Sequence, residues 1–239
     1  MLNSENDRSD YSENKINLLD KNPKDIRKMF DRVSHQYDLV NDILSCFSHK
    51  KNKLQAIEAL KLKDNIRVLD LCCGTGDLAR IIKKKFPNSQ VYGVDFSRNM
   101  LKIASKKSKN IEYYEADATK LSFASEFFDC VVMGFGLRNI QEPELALSEI
   151  YRVLKRSGKF LHLDFDKNGK YVSLYDKIMP RILRVFVKDI EPYNYLLKSK
   201  NDFYSNDELI ELFEDNNFGF VCYNKIMFDM ISYQVMKKY

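Results

Sequence analysis

Apolar positions along this chain alternate between two periods. Ile66 to Leu71 is a short, nearly continuous apolar run, the pattern of a strand covered on both faces, and Leu78, Ala79, Ile81 and Ile82 then recur at helical spacing. The alternation continues, with strands predicted over 66–71, 90–95, 111–115, 128–133 and 159–165 and helices over 76–86, 97–106 and 143–154. Strands and helices in strict turn imply a parallel sheet with right-handed crossovers. Pro143 suits a first helical turn and Gly158 the turn before a strand. From Phe218 to Met236 the pattern alternates around Asn224-Lys225 and Asp229, which predicts two closing antiparallel strands.

The flanks read differently. Residues 1–22 are polar and aperiodic, as in a flexible extension, and 23–239 reads as one domain. Within it a helical cap (23–62) precedes the core (63–239), with Ile26, Met29, Phe30 and Val33 on one face and Leu39, Ile43, Leu44 and Phe47 on another. Between Tyr171 and Val187, Leu174, Tyr175, Ile178, Met179, Ile182, Leu183 and Phe186 recur three and four apart around Pro180, as in a kinked amphipathic helix.

Composition narrows the class. The 239 residues suffice for a single α/β core, and the formal net charge of +5 comes with no nucleic-acid-binding motif, so the lysines at 83–85, 106, 107 and 109 read as solvated helix ends. Five cysteines without C-x-x-C spacing, two adjacent at a buried strand end, read as free thiols rather than zinc ligands or disulfides. A signal sequence and an apolar run of spanning length are both missing, so a cytoplasmic protein, peripheral at most, is expected.

The chemistry concentrates at Val68-Leu69-Asp70-Leu71-Cys72-Cys73-Gly74-Thr75-Gly76-Asp77-Leu78-Ala79, where a strand breaks through a glycine turn into a helix. Gly74 and Gly76 let a ligand approach the main chain, and the free N–H groups at the helix start attract a carboxylate or phosphate. Gly74, Gly76 and Ala79 also satisfy the loose dinucleotide fingerprint, and Asp95 closes the next strand about 20 residues on, where an acid can hold ribose hydroxyls. These features indicate an adenosine cofactor and leave an NAD-dependent dehydrogenase open. Asp117 follows the third strand and can accept from an adenine amine.

Taken in order, "LDLCCGTGDLA", "GVDFS" and "ADA" resemble the S-adenosylmethionine-dependent methyltransferases. "MFDRVSHQYD" with Asn41, and "GFGLRN" from Gly134 to Asn139, are similar to signatures of the ubiquinone and menaquinone biosynthesis C-methyltransferase family. The likeness runs from about Pro23 to near the end of the chain and looks most like the phylloquinone and menaquinone branch. It implies a Rossmann-like α/β fold: a seven-stranded, mostly parallel sheet with an antiparallel C-terminal strand, helices on both faces and the N-terminal helical cap.

The resemblance implies S-adenosylmethionine contacts at Thr75, Asp95, Asp117, Ala118 and Gly134, to which Asp70, Gly74, Gly76 and Phe96 of the same motifs are added. Gly134 stands where many relatives have serine, and Lys51-Asn52 where an aromatic residue is usual. The acceptor implied is a demethylated isoprenoid quinol, with a naphthoquinol preferred and a benzoquinol as the alternative. C-methylation needs a ring carbon activated by a neighbouring phenolate and held in line with the methyl, so Arg138 is the leading catalytic candidate. Asp164, which replaces a glutamate common in the family, could orient a substrate hydroxyl. Tyr37, Asn139 and, on an aromatic loop, Tyr193 and Tyr195 are the expected substrate-binding residues; His35 is expected to close over the cofactor with Tyr37, and His162 to be strand packing. Expected partners are the quinol and a transient membrane surface touched by the 171–187 segment, with a homodimer open and no nucleic acid. A non-catalytic protein on a methyltransferase scaffold is the rival outside enzymes.

Overall fold

The sheet is built by alternation at single-residue resolution. In a computed structural model, which describes residues 21–239, Val68 and Leu69 of the first strand are both fully buried but belong to different cores. Successive side chains of a strand point to opposite faces, so a strand covered on both sides needs apolar residues at every position. That explains the continuous runs.

The parallel part comprises β1 (Arg67–Leu71), β2 (Gln90–Asp95), β3 (Glu112–Glu115), β4 (Phe128–Gly134) and β5 (Leu154–Phe165). With β6 (Phe218–Ile226) and β7 (Ile231–Lys238) they form one sheet in the order β3-β2-β1-β4-β5-β7-β6. Only β7 runs against its neighbours, pairing antiparallel with β5 and β6 as the tail pattern predicts. The crossover helices are α4 (Asp77–Lys85), α5 (Arg98–Lys107) and α6 (Pro143–Val153), each within two residues of its expected bounds. β5 starts earlier than expected: Leu154 already pairs with Phe128, and the register then shifts before Lys159 pairs with Cys130.

One face of the sheet packs Leu69, Val131 and Met133 against Ala146, Leu147 and Ile150 of α6 and against Leu209 and Phe213 of a later helix, α9 (Asn206–Asp215). The other packs Val68, Cys130 and Val132 against Leu78, Ala79 and Ile82 of α4. Ala56 and Ile57 of α3 (His49–Ala59) join that second face, so α3 belongs to the core's packing although it falls within the expected cap.

The remaining cap is α1 (Pro23–Val33), a 3-10 turn at Ser34–Gln36 and α2 (Tyr37–Leu44). Ile26, Met29 and Val33 are buried as expected, but on α2 the buried residues are Val40 and Leu44, while Leu39 and the following Phe47 are exposed. α7 (Val172–Phe186) contains Pro180 and is followed by α8 (Glu191–Ser199), which occupies the stretch read as an aromatic loop. The extension expected over 1–22 lies, but for Lys21 and Asn22, outside the described residues. Among the described residues no helix is long and apolar enough to cross a membrane.

Candidate functional site

The parallel strands end at one edge of the sheet, and there β1 turns sharply into α4. Gly74 and Gly76 both take positive φ, +55° and +82°. A Cβ on Gly76 would stand 2.6 Å from the Tyr113 hydroxyl, so the turn has neither the backbone conformation nor the room for another residue. Cys72 and Phe135, just past β1 and β4, are also left-handed, at φ 58° and 61°, and such strain in non-glycine residues clusters at ligand sites.

Two adjoining chambers open beside this turn, of about 900 and 950 Å³ including their open mouths. They share Phe30, Tyr37, Cys72, Gly74, Gly134 and Phe135 as a common wall. The first is lined by Asp95, Phe96, Asp117, Ala118 and Asn139, from the ends of β2, β3 and β4. The second is lined by Asp70, Thr75, Asp77 and Arg138 together with His49 and Lys53 of α3.

The start of α4 is where the two cofactor classes part. Asp70 Oδ2 accepts the Ala79 N–H at 2.8 Å, and Asp77 occupies the helix's first turn. Asp70 therefore already takes one of the N–H groups at the positive end of the helix, which a pyrophosphate would otherwise use. Burial pushes the Asp70 carboxyl up to about 7, and its Oδ1 is buried with no hydrogen-bond partner among the described residues. An unpartnered buried carboxylate oxygen calls for a cationic partner, and an α-ammonium group fits that need. Asp77 behaves oppositely: burial alone would raise it, but His49 and Lys53, the latter 3.0 Å away, hold it far below the usual carboxylate range.

In the first chamber Asp95 is fastened by main-chain donors, Gly74 N–H at 2.8 Å and Ser97 N–H at 2.9 Å. Burial still pushes its carboxyl up to about 6. Each oxygen keeps a free lone pair, the acceptor pattern that a vicinal diol requires. Asp117 Oδ1 takes the Thr119 N–H and hydroxyl, which holds the loop against the chamber. A Cβ on Gly134 would come within 2.7 Å of Leu78 Cδ1, so Leu78 fills the space that a serine side chain needs.

Arg138, in a short 3-10 turn (Leu137–Asn139), is almost fully buried, and its Nη1 is paired with Asp164 Oδ1 from the end of β5. Its Nε donates to Ser199 Oγ at 3.3 Å, and its guanidinium lies 5.6 and 5.7 Å from the Phe165 and Phe135 ring centroids. Asp164 stands behind Arg138, since Arg138 lines the second chamber and Asp164 lines neither. It is thus a partner that orients the guanidinium, a correction to the substrate contact expected of it.

Three other expectations change. Tyr193 and Tyr195 line neither chamber: Tyr193 packs among α2 and α7 residues and Tyr195 against Ile26 and Met29 of α1, while their neighbours Leu196 and Leu197 reach the second chamber. A helix turns adjacent positions to different sides, which a loop reading could not resolve. His35 is exposed and lines neither chamber, leaving Tyr37 as the residue of the pair in the common wall. Gly76 shapes the turn without lining a chamber. His162 is strand packing as expected, with Nδ1 2.8 Å from Gln234 Oε1 and its pKa lowered by burial. Burial also raises the Cys72 and Cys73 thiols well above their usual value, which disqualifies them as nucleophiles.

The sequence reading missed the residues that tie cap to core. Thr75 Oγ1 donates to Asp38 Oδ1 of α2 at 2.6 Å, and Ser97 Oγ donates to Asp31 Oδ1 of α1 at 2.6 Å. Both acids lie in the "MFDRVSHQYD" stretch, which was itself the available signal.

Residues 18–238 match the model of the ubiE/COQ5 methyltransferase family. The chain belongs to that family. A demethylmenaquinone methyltransferase of Thermotoga maritima is 35% identical over 205 residues, covering 83% of this chain and 90% of that protein. The ubiquinone/menaquinone biosynthesis C-methyltransferase UbiE of Proteus mirabilis is 35% identical over 87% of this chain and 89% of its own length. Among solved structures, a SAM-dependent methyltransferase from Thermotoga maritima superposes with a TM-score of 0.68 over 90% of this chain at 21% identity. The [4+2]-cyclase SpnF superposes at 0.60 over 79% of it, so this fold by itself does not specify methyl transfer. Family membership does, and this member is a methyltransferase.

Proposed function

We propose that this methyltransferase acts on a ring carbon of a demethylated isoprenoid naphthoquinol, with S-adenosylmethionine seated across the two chambers. The observation that carries the reading is the charge arrangement at the start of α4. The Asp70 oxygen unpartnered among the described residues suits an ammonium, and its other oxygen already takes the Ala79 N–H that a dinucleotide's pyrophosphate would use. The Asp95 lone pairs suit the ribose diol, and Asp117 with Ala118 the adenine. Thr75 donates its hydroxyl to Asp38, so toward the cofactor it offers its main chain and the hydroxyl's lone pairs as an acceptor. The naphthoquinol ring is favoured over a benzoquinol because relatives from Thermotoga maritima and Staphylococcus carnosus, at 35% and 36% identity, are named demethylmenaquinone methyltransferases.

When bound, the cofactor supplies an electrophilic methyl group on a positively charged sulfur. The protein's own task is to orient the acceptor and stabilise the phenolate that makes its ring carbon nucleophilic. Arg138 offers a permanent charge in a water-poor wall, held by Asp164 and flanked by two aromatic faces, so it needs little reorganisation as charge develops. Asn139 is anchored through Nδ2 to the Phe135 carbonyl at 3.1 Å and lines the first chamber beside Asp117 and Ala118, so it belongs to the cofactor's wall and not to the quinol contact expected of it. Phe165, Leu196, Leu197 and Met227 give the second chamber the apolar lining that a prenylated ring requires.

Transfer of labelled methyl from S-adenosylmethionine to a panel of demethylated naphthoquinols and benzoquinols tests this reading. Label in a naphthoquinol product supports it, label only in benzoquinols overturns the ring assignment, and label in neither overturns the function.

A further inference from the structure

Among the described residues, nothing covers the second face of α7. Val172, Tyr175, Met179 and Leu183 are buried, yet Leu174, Ile178 and Val185 are 54%, 39% and 80% exposed. With Arg181 these three are spaced four, three and four residues apart and make one stripe. Lys177 and Arg184, both exposed, border it on the same side as Arg181, and exposed Lys188 follows just past the end of the helix. The acids of this segment are already matched, Asp176 to Lys200 and Asp189 to Arg32, so the border carries net positive charge.

The stripe continues toward the mouth of the second chamber. Phe228, 77% exposed at the turn between β6 and β7, stacks edge-on with Tyr171 at 6.4 Å, and its neighbour Met227 lines that chamber. Phe47, 75% exposed, lies three residues beyond Leu44, another lining residue, whose carbonyl accepts the Tyr175 hydroxyl at 2.8 Å. Asp229 is the acid that remains beside Phe228.

We propose that α7 and the β6–β7 turn rest on an anionic lipid bilayer, with the apolar stripe at the acyl boundary and the basic border against headgroup phosphates. Large exposed apolar residues beside a row of lysines and arginines have this use at an interface, and the row distinguishes a charged lipid surface from a second copy of this net-positive chain. The inference rests on the naphthoquinol reading, because a substrate with a membrane-embedded tail explains why the apolar surface adjoins the substrate chamber. The bilayer would then deliver the ring without exposing its tail to water.

Co-sedimentation of the full chain with vesicles of phosphatidylglycerol and phosphatidylcholine tests it, with pure phosphatidylcholine vesicles and high salt as comparisons. The wild type binds the anionic vesicles, and binding weakens in high salt or without phosphatidylglycerol. Lys177→Gln/Arg181→Gln/Arg184→Gln/Lys188→Gln and, separately, Leu174→Glu/Val185→Glu each lose about tenfold or more in vesicle affinity. Both keep the wild-type melting temperature and methylate a tail-less naphthoquinol at the wild-type rate. Wild-type protein left in the supernatant, or variants that bind as well as wild type, would overturn the proposal. So would a wild-type dimer that Leu174→Glu/Val185→Glu splits without any vesicle binding. Failure of the functional reading looks different: no quinol is methylated while vesicle binding persists.

Discussion

Asp70 is a buried carboxylate on the wall of the second chamber, with one oxygen bonded to the Ala79 N–H and the other without a partner among the described residues. Because burial lifts its carboxyl to about 7 from an ordinary 3.8, the cofactor-free fold keeps a proton that the unfolded chain has released. That contribution to stability is fully present below about pH 4 and is lost as the pH rises through 7. Between pH 4 and 8 the stability difference should therefore move in favour of Asp70→Asn by ~2–4 kcal/mol, read from urea melts of cofactor-free protein. Since an ammonium favours the ionised carboxylate, calorimetry should find wild-type affinity for S-adenosylmethionine rising from pH 6 to 8. Asp70→Asn should bind about tenfold more weakly with a flatter profile; equal profiles would remove Asp70 from the cofactor site. At Arg138, truncation to Ala strands a buried carboxylate and should cost about 3–5 kcal/mol in the same melts. Arg138→Lys keeps the charge and should keep the fold, with cofactor affinity within about twofold and kcat down at least about tenfold. An unchanged kcat in the Lys variant would leave Arg138 a purely structural residue. The positions of Asp70, Asp95 and Asp117 could be read in the sequence because strand ends and glycines fix them within a residue. That Asp164 serves Arg138 could not, since the two are 26 residues apart and meet only through the sheet.

At the scale of elements, the helices that carry the second chamber were the hardest to foresee. α8 holds Pro192, Tyr193, Asn194 and Tyr195 in a short run whose composition resembles a loop, and its identity depends on packing against α1, α2 and α7. Adjacent residues then have opposite fates. Leu196→Ala should raise KM for a prenylated acceptor about three- to tenfold, whereas Tyr195→Phe should leave kcat and KM near wild type. The reverse pattern would restore Tyr195 as a substrate contact. β5 illustrates a different kind of error: Leu154 pairs with β4 before a register shift that no apolar period records. The cap is joined to the core by the Thr75–Asp38 and Ser97–Asp31 hydrogen bonds, and Asp38 also pairs with Lys107 of α5. Asp38→Ala should loosen α2, seen as faster amide exchange over Tyr37–Leu44, and should weaken cofactor affinity about five- to tenfold. Normal exchange with normal affinity would mean that the cap is held by its apolar face alone.

For the molecule as a whole, the alternation of apolar periods was enough to specify a doubly covered parallel sheet, because a strand buried on both faces and a helix buried on one leave different records. Charge balance was not enough to specify a partner, since the basic border of α7 becomes visible only when the buried side of that helix is known. A ligand that binds only the folded state stabilises it by about 2.7 kcal/mol at a hundred times its Kd. S-adenosylmethionine at that level should raise the melting temperature by about 5–10 °C for a chain of this size, and NAD should not. The most direct test of the account joins donor and acceptor in one assay: label from methyl-labelled S-adenosylmethionine, followed into a demethylated prenyl naphthoquinol, for wild type and for Asp95→Ala. The account predicts label on a ring carbon with the wild type and none above background with Asp95→Ala at cofactor concentrations that saturate the wild type. Undiminished transfer by Asp95→Ala, or wild-type label on oxygen rather than carbon, would contradict it.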